Sequence, residues 1–373
     1  MSNHQAVEQM LGYLYQVRYA LYLLLEEDDE QARIGIEKFD DISFSYDDTS
    51  ETMIQLKHHT KSYGDLNNAS TDIWRTIKVW SDLINIDSSR LESTKFIIIT
   101  TAKSPGNSAA CYLTPDSMEL ERNTKKAFEI LKNTAESSQN VQHQGYYKSF
   151  IKLGDDLGQK LVNNIYIIDG SSNIIDVKVD IRKIIRYGSL PKYEDRICER
   201  LEGWWYDKAI EYLTSDQLLF ITQKQIRSLI SSIRDEYTED NLPIDTPILD
   251  EIDIENLPEK DRLFYEQLRI ICLSNQRMNL AIRDYYRAFK QRANWIRDDL
   301  LYINELDRYE ERLIDEWQRM FLMMKEDLEE YGEELDEKTK QKFGKGLFNK
   351  IQDKDIRIRE RCSEPFVMRG SYH

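Results

Sequence analysis

The sequence predicts an α/β N-terminal domain, a mixed sheet flanked by helices, followed by an all-α C-terminal interaction domain. Three observations predict it. Residues 95–101 (KFIIITT) form a continuous β-branched run of the kind found in a central strand covered on both faces, and residues 163–169 (NNIYIID) repeat it. Helical periodicity separates the two runs, and strand, helix, strand in that order suggests a mixed sheet with helices on its faces. Past residues 237–261, a segment with three of the seven prolines and many acids, apolar residues recur at steps of three and four. The resulting division is 1–236, a linker over 237–261, and 262–373.

Taken in order, residues 6–26 read as a helix with a broad apolar stripe of Leu11, Leu14, Tyr15, Val17, Leu21, Leu24 and Leu25. Gly12 and Gln16, four apart, share a face, which lets Gln16 lean toward a neighbouring strand. Strands are expected over 33–39, 42–46 and 53–57. Ser70-Thr71-Asp72 opens a helix whose Ile73, Trp74, Ile77, Val79, Trp80 and Leu83 cover much of its circumference, as in a buried crossover. Further helices are expected over 117–137, 176–186, 191–214 and 215–235. Trp204 and Trp205 could stack on bases, but a pair of aromatics in a helix favours core. In the last domain, Phe264, Leu268, Ile271, Asn275, Met278, Ile282, Tyr285 and Phe289 make a heptad-like stripe, with Asn275 as a polar insertion of the sort that fixes register or partner. A second helix carries Leu306, Tyr309, Leu313, Trp317, Phe321 and Met324. Residues 326–337 read as solvated acidic surface, and Arg357, Arg359 and Arg361 as a basic tail.

The chemistry concentrates in residues 34–59. Along 53–57 side chains alternate, so Ile54 and Leu56 face a core while Gln55 and Lys57 share the opposite face. Glu37, Asp40 and Asp41 lie at the junction of the two preceding strands. A hairpin-like sheet would bring a carboxylate from that junction beside Gln55 and Lys57, and strand alternation admits either Asp40 or Asp41. In-line phosphodiester cleavage needs a divalent cation to neutralise the scissile phosphate and activate water. A carboxylate and a Gln carbonyl suit a hard cation such as Mg²⁺ or Mn²⁺, and a lysine on the same face can orient water or stabilise developing charge. The plain alternative is a charged surface hairpin. His58 and His59 point to opposite faces, so at most His59 joins Lys57.

Gly12-Tyr13-Leu14-Tyr15-Gln16, Ile36-Glu37 with Asp41-Ile42, and Gln55-Leu56-Lys57-His58 together resemble the PD-(D/E)xK nuclease superfamily. Within it, they resemble the double-stranded DNA nuclease domain at the N-terminus of bacterial anti-phage effectors. The resemblance implies a PD-(D/E)xK nuclease core with a catalytic set of Asp41, Gln55 and Lys57, and with Glu37 and Gln16 as auxiliaries. Asp41, Gln55 and Glu37 would be the metal ligands. Gln replaces the acidic residue of the last motif, as in the Mrr-like branch, which lowers negative charge there and leaves one or two metal ions open.

Tyr285-Tyr286-Arg287-Ala288, Arg292-Ala293-x-Trp295, Tyr309-Glu310-x-x-Leu313-x-Asp315-Glu316-Trp317 and the closing Arg369-Gly370-Ser371-Tyr372-His373 resemble the C-terminal domain of ABC-three-component systems. Together the two resemblances imply the nuclease subunit of a Lamassu-type anti-phage system. Its helical domain would dock on an SMC-like ATPase of the Rad50 type and a small third subunit. The partner would hold it silent until foreign DNA is sensed, and a homo-oligomer would be the active form. The second resemblance also implies relatives that run on past residue 373.

Composition limits the alternatives. A net charge of −16 argues against broad adhesion to nucleic acid, because phosphate binding rests on Lys and Arg, but not against a local metal-dependent DNA cutter. Cys111, Cys198, Cys272 and Cys362 are widely spaced with no CxxC pair, which disfavours a zinc knuckle and suits reduced thiols. Without a membrane-length apolar run or a signal-peptide pattern, a soluble, cytoplasmic protein is expected. No GxxxxGK[ST] occurs, so ATP hydrolysis is expected from another chain. A catalytically inactive nuclease-fold scaffold and an RNA-cutting toxin are the competing functions.

Overall fold

The computed structural model describes residues 3–36, 42–46, 51–57, 65–116, 121–215, 220–245, 262–330 and 336–372. The chain divides into two compact units, Met1–Ile233 and Arg234–His373.

The first unit opens with α1 (Asn3–Glu26), then β1 (Arg33–Ile36), β2 (Ile42–Ser45) and β3 (Glu51–Lys57), an antiparallel meander. The crossover α2 (Thr71–Ile86) returns the chain to β4 (Thr94–Thr100), parallel to β3. A second crossover runs through α3 (Ala109–Tyr112), α4 (Thr124–Ser137), α5 (Gln144–Ile151) and α6 (Gly154–Asn164) to β5 (Ile165–Ile168), parallel to β4. After α7 (Ile174–Arg186) and α8 (Glu194–Thr214), the short β6 (Ile221–Thr222) pairs with β1, and α9 (Gln223–Glu236) follows. Among the described residues the strand order is β5-β4-β3-β2-β1-β6, a mixed sheet flanked by helices.

Strand alternation and register explain both faces. Met53 pairs with Phe96 and Phe96 with Ile165, so these three lie on one face with Ile98 and Ile167. They share a core with Ile73, Trp74, Ile77 and Trp80 of α2. Trp74 meets Tyr147 of α5 edge to face, ring centroids 4.6 Å apart, a geometry that adds to simple area burial. On the other face Ile34, Ile36, Ile42, Phe44, Ile54, Leu56 and Ile99 are all buried. Helices α1 and α8 are clipped together by polar contacts. The Trp205 indole donates to the Val17 carbonyl at 2.6 Å, and Arg18 Nε meets Glu202 at 2.6 Å while its Nη1 donates to the Ile174 carbonyl at the start of α7. Trp205, fully buried, is a core residue.

Local expectations shift where tertiary partners intervene. The strand expected over 33–39 is described as far as Ile36, and residues 37–41 lie outside the described residues. Of the helix expected over 117–137, residues 117–120 lie outside the described residues; the helix is described from Thr124, where the Asn123 side chain accepts from the Lys126 amide. Residues 163 and 164 complete α6 before the strand begins at Ile165. The helix expected over 215–235 is preceded by β6, because β1 offers an open edge to Ile221 and Thr222. Gly35 leaves room there, since a Cβ on it would lie 3.1 Å from the Phe220 ring.

The second unit contains α10 (Arg262–Ile270), α11 (Asn275–Arg297), α12 (Glu305–Glu329), α13 (Glu337–Gln352) and α14 (Pro365–Ser371). The heptad-like stripe does not form one helix. The chain turns at Cys272, whose φ is +53°, and Ser274 caps α11 by accepting from the Arg277 amide. Asn275 is therefore an exposed first-turn residue and sets no seam register, and Phe289 at the far end of the stripe is 56% exposed. Residues ahead of α10 pack on α11: the Pro243 carbonyl accepts from the Trp295 indole at 2.7 Å and from Gln291 at 3.2 Å. Arg359, one of the cations of the expected basic tail, is 6% exposed. It binds both carboxylate oxygens of Glu305 (2.7 and 2.8 Å) and the carbonyls of Asn241 and Leu300. No helix among the described residues is long and apolar enough to cross a membrane.

Candidate functional site

Strand β3 lies inside the sheet, hydrogen-bonded to β2 on one side and to β4 on the other. It positions two of the predicted site residues. Gln55 pairs with Ile98 and Lys57 with Thr100, so their side chains share the face that also carries Met53. That face is not an open polar surface. Met53 is in the core and Gln55 is only 8% exposed, while Lys57 at the C-terminal end of the strand is partly exposed. The alternation expected from sequence holds, but helices cover most of the polar face. On β2, Ser43 pairs with Met53, and its buried Oγ has no hydrogen-bond partner.

Gln16 occupies the middle of α1, where its buried Oε1 lacks a hydrogen-bond partner. The helix reaches the strand ends through its tyrosines. The Tyr15 hydroxyl donates to the Ser172 carbonyl at 3.0 Å, and Tyr19 hydrogen-bonds Ser171. The Ser171 amide in turn donates to the carbonyl of Thr100, the strand partner of Lys57. Burial pushes the Tyr19 phenol up to about 12, with the Ser171 hydrogen bond opposing it. Burial likewise holds Tyr15 well above the ordinary tyrosine range, so both phenols stay neutral donors at physiological pH. The structure thus joins Lys57, Thr100, the 170–173 turn and α1 at the C-terminal ends of parallel strands β3 and β4, the usual place for function in parallel sheets. Sequence reading missed this turn. Its signal was Gly170-Ser171-Ser172-Asn173 directly after a strand, with Gly170 at φ +61° and Asn173 capping α7.

Glu37, Asp40 and Asp41, and with them His58 and His59, lie outside the described residues. The nearest described position is informative: Ile42, which follows Asp41 in sequence, pairs with Ile54, which precedes Gln55. Among the described residues no group of three or more His, Cys, Asp or Glu could hold a metal ion. His143, buried, is engaged by Thr71 (3.0 Å) and Tyr147 (3.4 Å) and serves the α2–α5 packing.

In the second unit the element that ends the chain is fixed by close approach. Helix α14 packs on α11 at Gly370, where a Cβ would overlap the Asp284 carbonyl oxygen and lie 2.7 Å from the Ala288 Cβ.

Residues 264–373 match C-terminal domain 7 of the ABC-three component (ABC-3C) systems. The match includes all four C-terminal sequence patterns quoted above, and it supports a component of an ABC-3C defence system. A comparison with curated proteins finds no match. Among solved structures, the chain is similar to the Acinetobacter baumannii Cap4 SAVED/CARF-domain containing receptor with the cyclic trinucleotide 2'3'3'-cAAA. The identity is 13% and the TM-score 0.34, over 75% of this chain and 66% of that one. It is also similar to the Moraxella osloensis Cap4 SAVED/CARF-domain containing receptor, at 14% identity and a TM-score of 0.39, over 75% of this chain and 68% of that one. The chain therefore spans about two thirds of the length of these receptors.

Proposed function

We propose that this chain is a metal-dependent DNA endonuclease, the effector of a Lamassu-type ABC-3C anti-phage complex. The observation that carries this reading is the placement of Gln55 and Lys57 on one face of an interior strand, with β2 entering at Ile42 opposite Ile54. That register suits a carboxylate from Asp41 beside Gln55. Asp41, Gln55 and Glu37 would hold Mg²⁺ or Mn²⁺, which supplies charge neutralisation at the phosphate and an activated water. The Gln55 carbonyl, like the partnerless Oε1 of Gln16, is a hard oxygen donor suited to such an ion or to its bound waters. Lys57, partly exposed at the end of β3, would orient the attacking water or stabilise charge on the phosphate. The substrate is double-stranded DNA. The 264–373 domain would dock the chain on an SMC-like ATPase and a small third subunit, which keep it inactive until foreign DNA is sensed. The released effector would act as a homo-oligomer, in the cytoplasm.

A second reading, an inactive nuclease-fold scaffold linking the defence subunits, is favoured by the burial of Gln55 at 8% exposure. Plasmid cleavage with Mg²⁺ or Mn²⁺ separates the two, using the chain alone and with its ATPase subunits and linear DNA ends. The endonuclease reading expects nicking that Lys57→Ala lowers by about 100-fold or more, the loss typical when one charge-stabilising group is removed. Silence of the full complex on DNA selects the scaffold, and cleavage of RNA in place of DNA would reassign the substrate.

A further inference from the structure

The second unit contains a cleft of about 550 Å³ between α11, α13 and the start of α14. Four arginines line it, Arg277, Arg283, Arg287 and Arg369, against two carboxylates, Asp284 and Glu364. The lining therefore has a surplus of two positive charges in a chain whose net charge is −16. Like-charged guanidinium groups gathered on one cleft repel one another unless something anionic offsets them. Asp284 does so in part. Burial raises its pKa, and Arg369, Arg287 and Arg283 all pull it back down.

Two further donors point the same way. Arg283 Nε and Gln352 Nε2 are buried without a hydrogen-bond partner, and both residues line the cleft. Buried unsatisfied donors are costly, and an anion that both reach would remove that cost. The backbone contact at Gly370 brings α14, and Arg369 with it, onto α11 at Asp284. Arg369 is held on its other side by donating to the Gln352 carbonyl at 3.3 Å. Phe366, Leu280 and the face of Phe348 supply apolar wall, with Arg277 already stacked 5.1 Å from the Phe348 ring.

We infer that this cleft binds a phosphate-bearing small molecule of nucleotide size through Arg283, Arg287 and Arg369. Guanidinium forks match phosphate oxygens bidentately, the volume falls in the range of small-ligand sites, and a mixed apolar and cationic wall suits a base attached to phosphates. The cleft and strand β3 have no residue in common.

The test is calorimetric titration of the full chain with ATP and, separately, with pyrophosphate, in EDTA so that metal-dependent binding at β3 makes no contribution. Expected is saturable one-site binding of both probes, weakened about tenfold or more by Arg283→Gln. Arg283→Lys should recover part of it, and Lys57→Ala should bind as wild type does. Thermal melts without ligand establish that the variants are folded. Binding of neither probe up to about 1 mM, binding that Arg283→Gln leaves unchanged, or capture of a glutamate-rich peptide in place of both probes each overturns the proposal. Loss of plasmid cleavage alone bears on the nuclease reading and not on this one.

Discussion

Gly370 sits where only a hydrogen can face the Asp284 carbonyl, so Gly370→Ala forces α14 off α11. Overpacking of this kind costs about 1–3 kcal/mol, and the expected loss is at the upper end because the obstacle is backbone. Urea melts should show it, while Gly346→Ala in α13, with nothing within 4 Å of a new Cβ, should be neutral or slightly stabilising. In the first unit, Arg18→Met leaves Glu202, whose side chain is 10% exposed, with Lys178 at 3.9 Å as its remaining cation among the described residues. Breaking a buried pair costs roughly 3–5 kcal/mol. Arg18 is itself one fifth exposed, so a loss of about 2 kcal/mol in the melt is expected. A neutral substitution would remove Arg18 from the account of how α1 is held.

At the scale of elements, the cysteines report how each segment is buried. Cys198 in α8 and Cys362 ahead of α14 have their thiols pushed up to about 12, chiefly by burial. At pH 8 each would be thiolate in only about one molecule in ten thousand. Cys272, in the left-handed turn that separates α10 from α11, is exposed. Maleimide at pH 8 should therefore label Cys272 first, and Cys198 and Cys362 only after denaturant. Rapid labelling of Cys362 would contradict the packing described for the chain's end. The same turn explains why the heptad-like stripe misled. A period of 3.5 cannot distinguish one helix from two whose apolar faces happen to continue in phase.

Across the whole molecule, the interior strands were the most legible part. A run such as KFIIITT has no polar face to mistake, and β4 emerged within a residue of its expected bounds. The edge was the least legible: β6 is two residues long and exists because β1 needs a partner. The candidate site was legible in part. Gln55 and Lys57 share a face, as strand alternation requires, yet the cover over Gln55 and the Tyr15–Ser172 and Ser171–Thr100 links depend on segments far apart in sequence. The acidic composition hid the arginine cleft altogether, since its four cations come from residues 277 to 369 and meet only on folding.

The sequence by itself determined periodicity: where the interior strand β4 lies, which residues of β3 lie together, and that the last third is helical. Those features follow from side-chain direction along a regular backbone, which is local. Tertiary structure alone decided exposure and partnership. It buried Gln55, turned Arg359 of the basic tail into a clamp on Glu305, split one stripe into two helices and closed a cationic cleft around Asp284. Each of these outcomes depends on what packs against a face, and that is set by residues distant along the chain.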